Sequence, residues 1–71
     1  MEIREELKKT GAKIIYYRNL KEINQQDLAK EIGVTRQYLS KIEHGKCFCN
    51  RGLIHKIAVV LEINFIDLIK E

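Results

Sequence analysis

The chain has 71 residues, of which 45% are hydrophobic, and its formal net charge is +3. This length suffices for one small domain with a compact core, and it excludes a second domain or a large enclosed active site. The absence of proline and the scarcity of alternating β-branched residues favour helices, so the predicted fold class is all-α.

The sequence contains no apolar run long enough to span a bilayer, and its charged N-terminal segment, MEIREELKK, does not resemble a signal peptide. Two cysteines in such a chain are typical of reduced intracellular thiols. We therefore expect a cytoplasmic protein with no membrane contact.

Five helices are predicted in chain order. They cover about residues 3–22, 25–32, 36–43, 51–61 and 65–70. Gly11 interrupts the first apolar stripe, which predicts either a kink or a break between an N-terminal helical extension, residues 1–10, and the remaining core, residues 11–70. The other four helices follow residues that commonly cap helix N-termini, namely Asn24, Thr35, Asn50 and Asn64.

The second and third helices, at about residues 25–43, form a predicted helix-turn-helix. Leu28, Ala29 and Ile32 fall on one helical face, and Gly33 can adopt the left-handed conformation that ends a helix. A small side chain at Ala29 allows the two helices to approach closely. In such a motif the second helix usually enters the major groove of DNA.

The outward face of the third helix carries the candidate base-reading side chains Arg36, Gln37, Ser40 and Lys41. Arginine or lysine can bond to guanine O6 and N7, and glutamine can bond to adenine N6 and N7. The alternative is a face that is merely solvated. Tyr38 beside them can either donate its hydroxyl group to a phosphate or pack against the first helix.

Basic residues are concentrated from the third helix onward. Residues 36–56 include five basic residues and one acidic residue, so their formal charge of +4 exceeds that of the whole chain. This distribution fits an electrostatic surface for nucleic acid, although a solvated basic surface explains it equally well.

The string NQQDLAKEIGVTRQYLSKIEHGK, followed by LIHKIAVVLEINFIDLI, resembles the Cro-like phage-repressor family of helix-turn-helix domains, often called XRE-type. The resemblance covers about residues 11–70. It implies a five-helix repressor-like fold and sequence-specific binding of double-stranded DNA, usually as a homodimer on a palindromic operator. Cys49-Asn50 replaces the Pro-Ser that family members often carry, and Glu62 replaces the usual glycine between helices 4 and 5.

The resemblance also implies roles for individual residues. Gln25 would bond to a DNA phosphate at the N-terminus of helix 2, the alternative being simple N-terminal capping. Arg18 and Glu43 would form the family's internal ion pair. Lys46 and Arg51 would contact the DNA backbone from either side of the loop after helix 3.

The last helix has more apolar residues than one core-facing stripe needs. We expect Phe65, Leu68 and Ile69 to pack in the core, whereas Ile66 and Val60 are candidates for a homodimer interface. The alternative is a monomer with scattered exposed apolar residues.

Cys47 and Cys49, with His44 and His55 nearby, match no standard zinc framework. Two ordinary loop thiols are the favoured interpretation, with a thiol or zinc sensor as the alternative. The sequence shows no catalytic constellation, so we expect no enzyme activity, no metal and no cofactor.

The leading functional hypothesis is a small DNA-binding transcriptional regulator that acts as a repressor. An antitoxin or a restriction–modification controller protein with the same domain remains an alternative. A protein-interaction module without DNA binding is a further one.

Overall fold

The computed structural model describes residues 3–70, and side chains are described from Glu5 onward. The helices are α1 (Ile3–Leu20), α2 (Gln25–Ile32), α3 (Arg36–Glu43), α4 (Arg51–Leu61) and α5 (Phe65–Ile69). Residues 3–70 contain no strand, which confirms the all-α prediction. The helix boundaries agree with the predicted ones within about two residues; residues 1–2 of the predicted N-terminal extension lie outside the described residues.

One apolar cluster joins all five helices. Its fully buried large side chains are Ile14, Leu28, Leu39, Ile42, Ile57, Leu61 and Leu68. Ala29, at 2% exposure, lies in the same cluster, as expected for a small residue between two close helices. The core therefore holds α2 and α3 against a frame made by α1, α4 and α5.

Polar side chains start three of the helices as predicted. The side chains of Asn24, Thr35 and Asn50 accept hydrogen bonds from the backbone N–H groups of Asp27, Tyr38 and Leu53 at 2.8, 3.0 and 2.8 Å. Asn64 occupies the corresponding position before α5, but its side chain makes no capping hydrogen bond. Asn64 is therefore the predicted N-cap residue by its position and backbone conformation alone.

Gly11 does not break the first helix, because α1 runs without interruption from Ile3 to Leu20. Instead, Gly11 is buried where α1 crosses the C-terminal end of α3. A Cβ atom at this position would lie 2.3 Å from the carbonyl oxygen of Glu43 and 2.5 Å from that of Ile42. The absence of a side chain thus sets the separation between α1 and α3.

The turn between α4 and α5 is built on Glu62, which adopts a left-handed conformation with φ of 58°. Its carboxylate accepts a hydrogen bond from Nζ of Lys21 at 2.6 Å. This hydrogen bond and the positive charge of Lys21 lower the pKa of Glu62. The turn closes without the glycine that is usual in similar domains, although glycine enters this conformation with less strain.

We predict that Gly11→Ala destabilises the protein. Alanine is the better helix former by about 1 kcal/mol, but the new Cβ must push apart the backbones of α1 and α3, which typically costs about 1–3 kcal/mol or more. Gly52→Ala is the matched control, because a Cβ there would lie 3.4 Å from Oδ1 of Asn50, an ordinary van der Waals contact. Urea unfolding should show a loss for Gly11→Ala and none for Gly52→Ala; equal midpoints would contradict the close contact.

Candidate nucleic-acid interface

Helix α3 is anchored by one face and exposed by the other. Leu39 and Ile42 are buried against α1 and α2, whereas Arg36, Gln37 and Lys41 are exposed. Ser40 is half-buried, so it is less accessible than the other candidate base-reading residues. Three long polar side chains are thereby presented on one surface of a helix whose opposite face is fixed in the core.

The C-terminal end of α3 is fixed by a two-point ion pair with α1. Nε and Nη2 of Arg18 donate to Oε2 and Oε1 of Glu43 at 2.7 and 3.1 Å. Nη1 of Arg18 also donates to the carbonyl oxygen of Ile23 at 3.0 Å. Glu43 is 3% exposed, and it is the one buried charged residue among those described. A paired, hydrogen-bonded geometry is what allows a carboxylate to be buried at this position.

Gln25 extends this contact from α2 to the start of α3. Its Nε2 donates to Oε1 of Glu43 at 2.9 Å, and its Oε1 accepts a long, 3.4 Å hydrogen bond from Nε of Arg36. Arg18, Glu43, Gln25 and Arg36 therefore form one series of side-chain contacts, which we call the Arg18–Arg36 network. The side chain that caps α2 is that of Asn24, so the alternative that Gln25 simply caps this helix was wrong.

Two of the candidate phosphate-binding residues, Tyr38 and Arg51, make contacts within the chain that were not predicted from the sequence. The hydroxyl group of Tyr38 donates to the carbonyl oxygen of Phe48 at 3.4 Å, which joins α3 to the following loop. The guanidinium group of Arg51 lies 5.6 Å from the ring centre of Phe65, so it is directed towards α5. Lys46 is exposed in the loop directly after α3.

Both histidines also have neighbours within the chain. Nδ1 of His44 lies 2.7 Å from the carbonyl oxygen of Ser40. The His55 ring stacks on Phe65 with centroids 3.9 Å apart and an interplanar angle of 10°. Phe65 is thus held by two residues of α4, His55 and Arg51, one turn apart.

Cys47 and Cys49 are free thiols. Burial, followed by the charge of Cys47, raises the pKa of the Cys49 thiol to about 11. A thiol with such a pKa is protonated near neutral pH and is a poor nucleophile. Within residues 3–70, no group of three or more histidine, cysteine or acidic residues is arranged to hold a metal ion.

The exposed apolar surface of α4 and α5 differs from the prediction. Ile66 is 57% exposed, in agreement with the sequence analysis, whereas Val60 is half-buried against the core. Val59, which was not a candidate, is 75% exposed. Ile69 is 43% exposed, so its predicted core packing was wrong. One residue of helix advances the side chain by about 100°, enough to exchange Val59 and Val60 between surface and core.

Five helices, with α2 and α3 joined by a tight turn and α3 exposing a polar face, define a helix-turn-helix DNA-binding domain. The helix-turn-helix family model matches residues 14–46. A relative described as an uncharacterized HTH-type transcriptional regulator of Methanocaldococcus jannaschii is 41% identical over 56 residues, covering 79% of this chain and 85% of the relative. The chain therefore belongs to the helix-turn-helix family of DNA-binding transcriptional regulators.

Further relatives agree with this assignment. The ImmF control region 10 kDa protein of Bacillus phage phi105 is 35% identical over 57 residues, covering 80% of this chain and 63% of the phage protein. The restriction-modification controller protein C.AhdI from Aeromonas hydrophila superimposes with a TM-score of 0.89 and 28% identity, covering 96% of this chain and 99% of C.AhdI. The clp gene regulator ClgR from Corynebacterium glutamicum gives a TM-score of 0.83 at 26% identity, covering 96% and 69% of the two chains.

Each of these relatives is described as a regulator, a controller protein or a control region protein. None of the described helices has the length and apolar character to cross a membrane.

We predict that Glu43→Ala is strongly destabilising. It leaves the guanidinium group of Arg18 without its carboxylate partner in a largely buried position, and removing one partner of a buried pair costs about 3–5 kcal/mol. For a domain of this size, each kcal/mol corresponds to a decrease in melting temperature of about 4–8 °C. Calorimetry should show this decrease for Glu43→Ala and almost none for Glu31→Ala, an exposed control. Equal melting temperatures would mean that the ion pair contributes little.

Proposed function

We propose that the protein is a sequence-specific transcriptional repressor that inserts α3 into the major groove of double-stranded DNA. The observation that carries this proposal is the exposed polar face of Arg36, Gln37 and Lys41 on a helix whose other face is buried. A reading helix must be held rigidly if its side chains are to discriminate bases, and the Arg18–Arg36 network supports that requirement. A regulator of this kind must reach the DNA inside the cell, so we propose that the protein is cytoplasmic.

The hydrogen bonds of the Arg18–Arg36 network indicate which side-chain groups remain available for contacts with DNA. Nε of Arg36 is used by Gln25, which leaves the two terminal nitrogens of the guanidinium group for O6 and N7 of a guanine. Gln37 and Lys41 are further base-reading candidates, with the half-buried Ser40 beside them. The amide group of Gln25 has two N–H groups, so one remains for a phosphate while the other bonds to Glu43.

Contacts to the DNA backbone are proposed for three residues around the loop after α3. Lys46 is exposed and needs no rearrangement. A phosphate contact from Tyr38 requires its hydroxyl group to exchange the carbonyl oxygen of Phe48 for a phosphate oxygen. The same role for Arg51 requires its guanidinium group to move away from the Phe65 ring.

We further propose a homodimer on a palindromic operator with half-sites about one helical turn apart. The exposed side chains of Ile66, Val59 and Ile69 on α4 and α5 support an apolar interface there, with the half-buried Val60 at its base. Two linked half-site contacts bind more tightly than one, because the second is made at high effective concentration.

Base contacts and phosphate contacts should separate in a paired experiment. On a duplex selected from a random library by the wild-type protein, Gln37→Ala should reduce discrimination against one substituted base pair by about 1–3 kcal/mol. Lys46→Ala should instead weaken selected and random duplexes equally and lower the slope of log K against log salt by about 0.9 per protomer. Fluorescence anisotropy at several salt concentrations measures both. Equal losses for Gln37→Ala on both duplexes would assign it to the backbone.

The dimer is tested by Ile66→Glu, which places a charge in the proposed apolar interface. We expect sedimentation to shift towards monomer and operator affinity to fall while the helical circular dichroism is kept. Leu20→Glu is the matched control, because Leu20 is 61% exposed but lies on α1. A wild-type protein that stays monomeric at high micromolar concentration would rule out a preformed dimer, and an Ile66→Glu dimer would move the interface elsewhere.

A controller protein of a restriction–modification system is a second candidate role. It is favoured by the similarity to C.AhdI, which extends over nearly the whole of both chains. Genes for a restriction endonuclease and a methyltransferase beside the gene for this protein would support that role. Their absence, together with an operator next to an unrelated gene, would remove it.

A further inference from the structure

We propose that Lys8, on the N-terminal part of α1, is an additional contact to the DNA backbone beside Lys46. This inference rests on the proposed DNA-binding function and extends its surface from the helix-turn-helix onto a helix that the motif does not include. Residue 8 lies outside residues 14–46, which the family model matches, so no assigned role covers it.

Lys8 is positioned by a close contact with the turn that ends α3. Gly45 in this turn has φ of 70°, and a Cβ atom there would lie 2.6 Å from Cγ of Lys8 and 2.7 Å from its Cα. The aliphatic part of the lysine side chain therefore passes directly over Gly45. Lys8 is exposed, so the rest of its side chain extends into solvent from this point beside the end of α3.

The same turn carries two further lysines. The backbone N–H group of Lys46 donates to the carbonyl oxygen of Lys41 at 2.8 Å, so these residues flank the turn at Gly45. Within residues 5–70, the ammonium groups of Lys8, Lys41 and Lys46 form no ion pair or side-chain hydrogen bond. Glu43 does not neutralise them, because its carboxylate is buried and bonded to Arg18 and Gln25.

The three lysines around this turn favour binding of a polyanion over binding of a single carboxylate. Successive phosphates of one DNA strand provide charges at regular short intervals along the groove into which α3 would insert. A competing explanation is that Lys8 only complements the C-terminal end of the α3 dipole. That role would contribute to folding but would add no phosphate contact, so the two explanations differ in their salt dependence.

The test uses Lys8→Met, which keeps the aliphatic stem over Gly45 and removes the charge, and Lys8→Arg, which keeps the charge. Lys9→Ala is the control: it changes charge equally on the same helix, but Lys9 lines the groove between α1 and α5. Binding to a selected duplex and to a random-sequence duplex is measured at five salt concentrations. Circular dichroism confirms that each variant is folded.

We expect Lys8→Met to lower the salt slope by about 0.9 per protomer and to weaken binding to both duplexes at 0.1 M salt by roughly eight-fold per protomer, or about 60-fold for the proposed dimer. Lys8→Arg and Lys9→Ala should keep the wild-type slope. An unchanged slope for Lys8→Met, with or without a loss of stability, overturns the contact. A wild-type protein without salt-dependent DNA binding would instead overturn the proposed function itself, so the two failures are distinguishable.

Discussion

The buried carboxylate of Glu43 is the interaction on which the arrangement of the first three helices depends. Its two oxygens accept three hydrogen bonds, two from Arg18 on α1 and one from Gln25 on α2, while the residue itself ends α3. A charge at this depth is tolerated only because each oxygen has a donor. The three helices therefore satisfy one polar group together, and none of them can shift without breaking at least one of these hydrogen bonds.

Gln25 connects the buried carboxylate of Glu43 to the exposed side chain of Arg36. The bond from its amide nitrogen to Glu43 fixes which way the amide group points, and its oxygen then faces Nε of Arg36. The 3.4 Å distance of that last bond makes it the weakest in the series. Arg36 is therefore oriented by Gln25 but only weakly held, which is compatible with the proposed base contact because its guanidinium group can still adjust.

Local signals in the sequence predicted most of the fold. Apolar spacing and the capping residues Asn24, Thr35 and Asn50 act within one or two helical turns, so they can be read without knowing the tertiary structure. The candidate reading face of α3 followed from the same spacing. The positions of Val59, Val60 and Ile69 did not, because on short helices with apolar residues on several sides the buried side is decided by neighbours distant in sequence. The Arg51–Phe65 contact was missed for the same reason.

Gly11 is a residue in the sequence that is explained by a long-range contact, the close crossing of α1 and α3. A glycine within a helical pattern predicts either a kink or a break, since it lowers helix propensity. Gly11 and Arg18 are seven residues apart, however, which places them two turns apart on the same face of α1. Arg18 meets the carboxylate of Glu43, and Gly11 meets its backbone carbonyl oxygen. The glycine lets α1 come close enough to the end of α3 for the ion pair to form, and the same approach brings Lys8 onto Gly45. Helix α1 is therefore part of the unit that presents α3, and the geometry of the helix-turn-helix is set in part by residues before it.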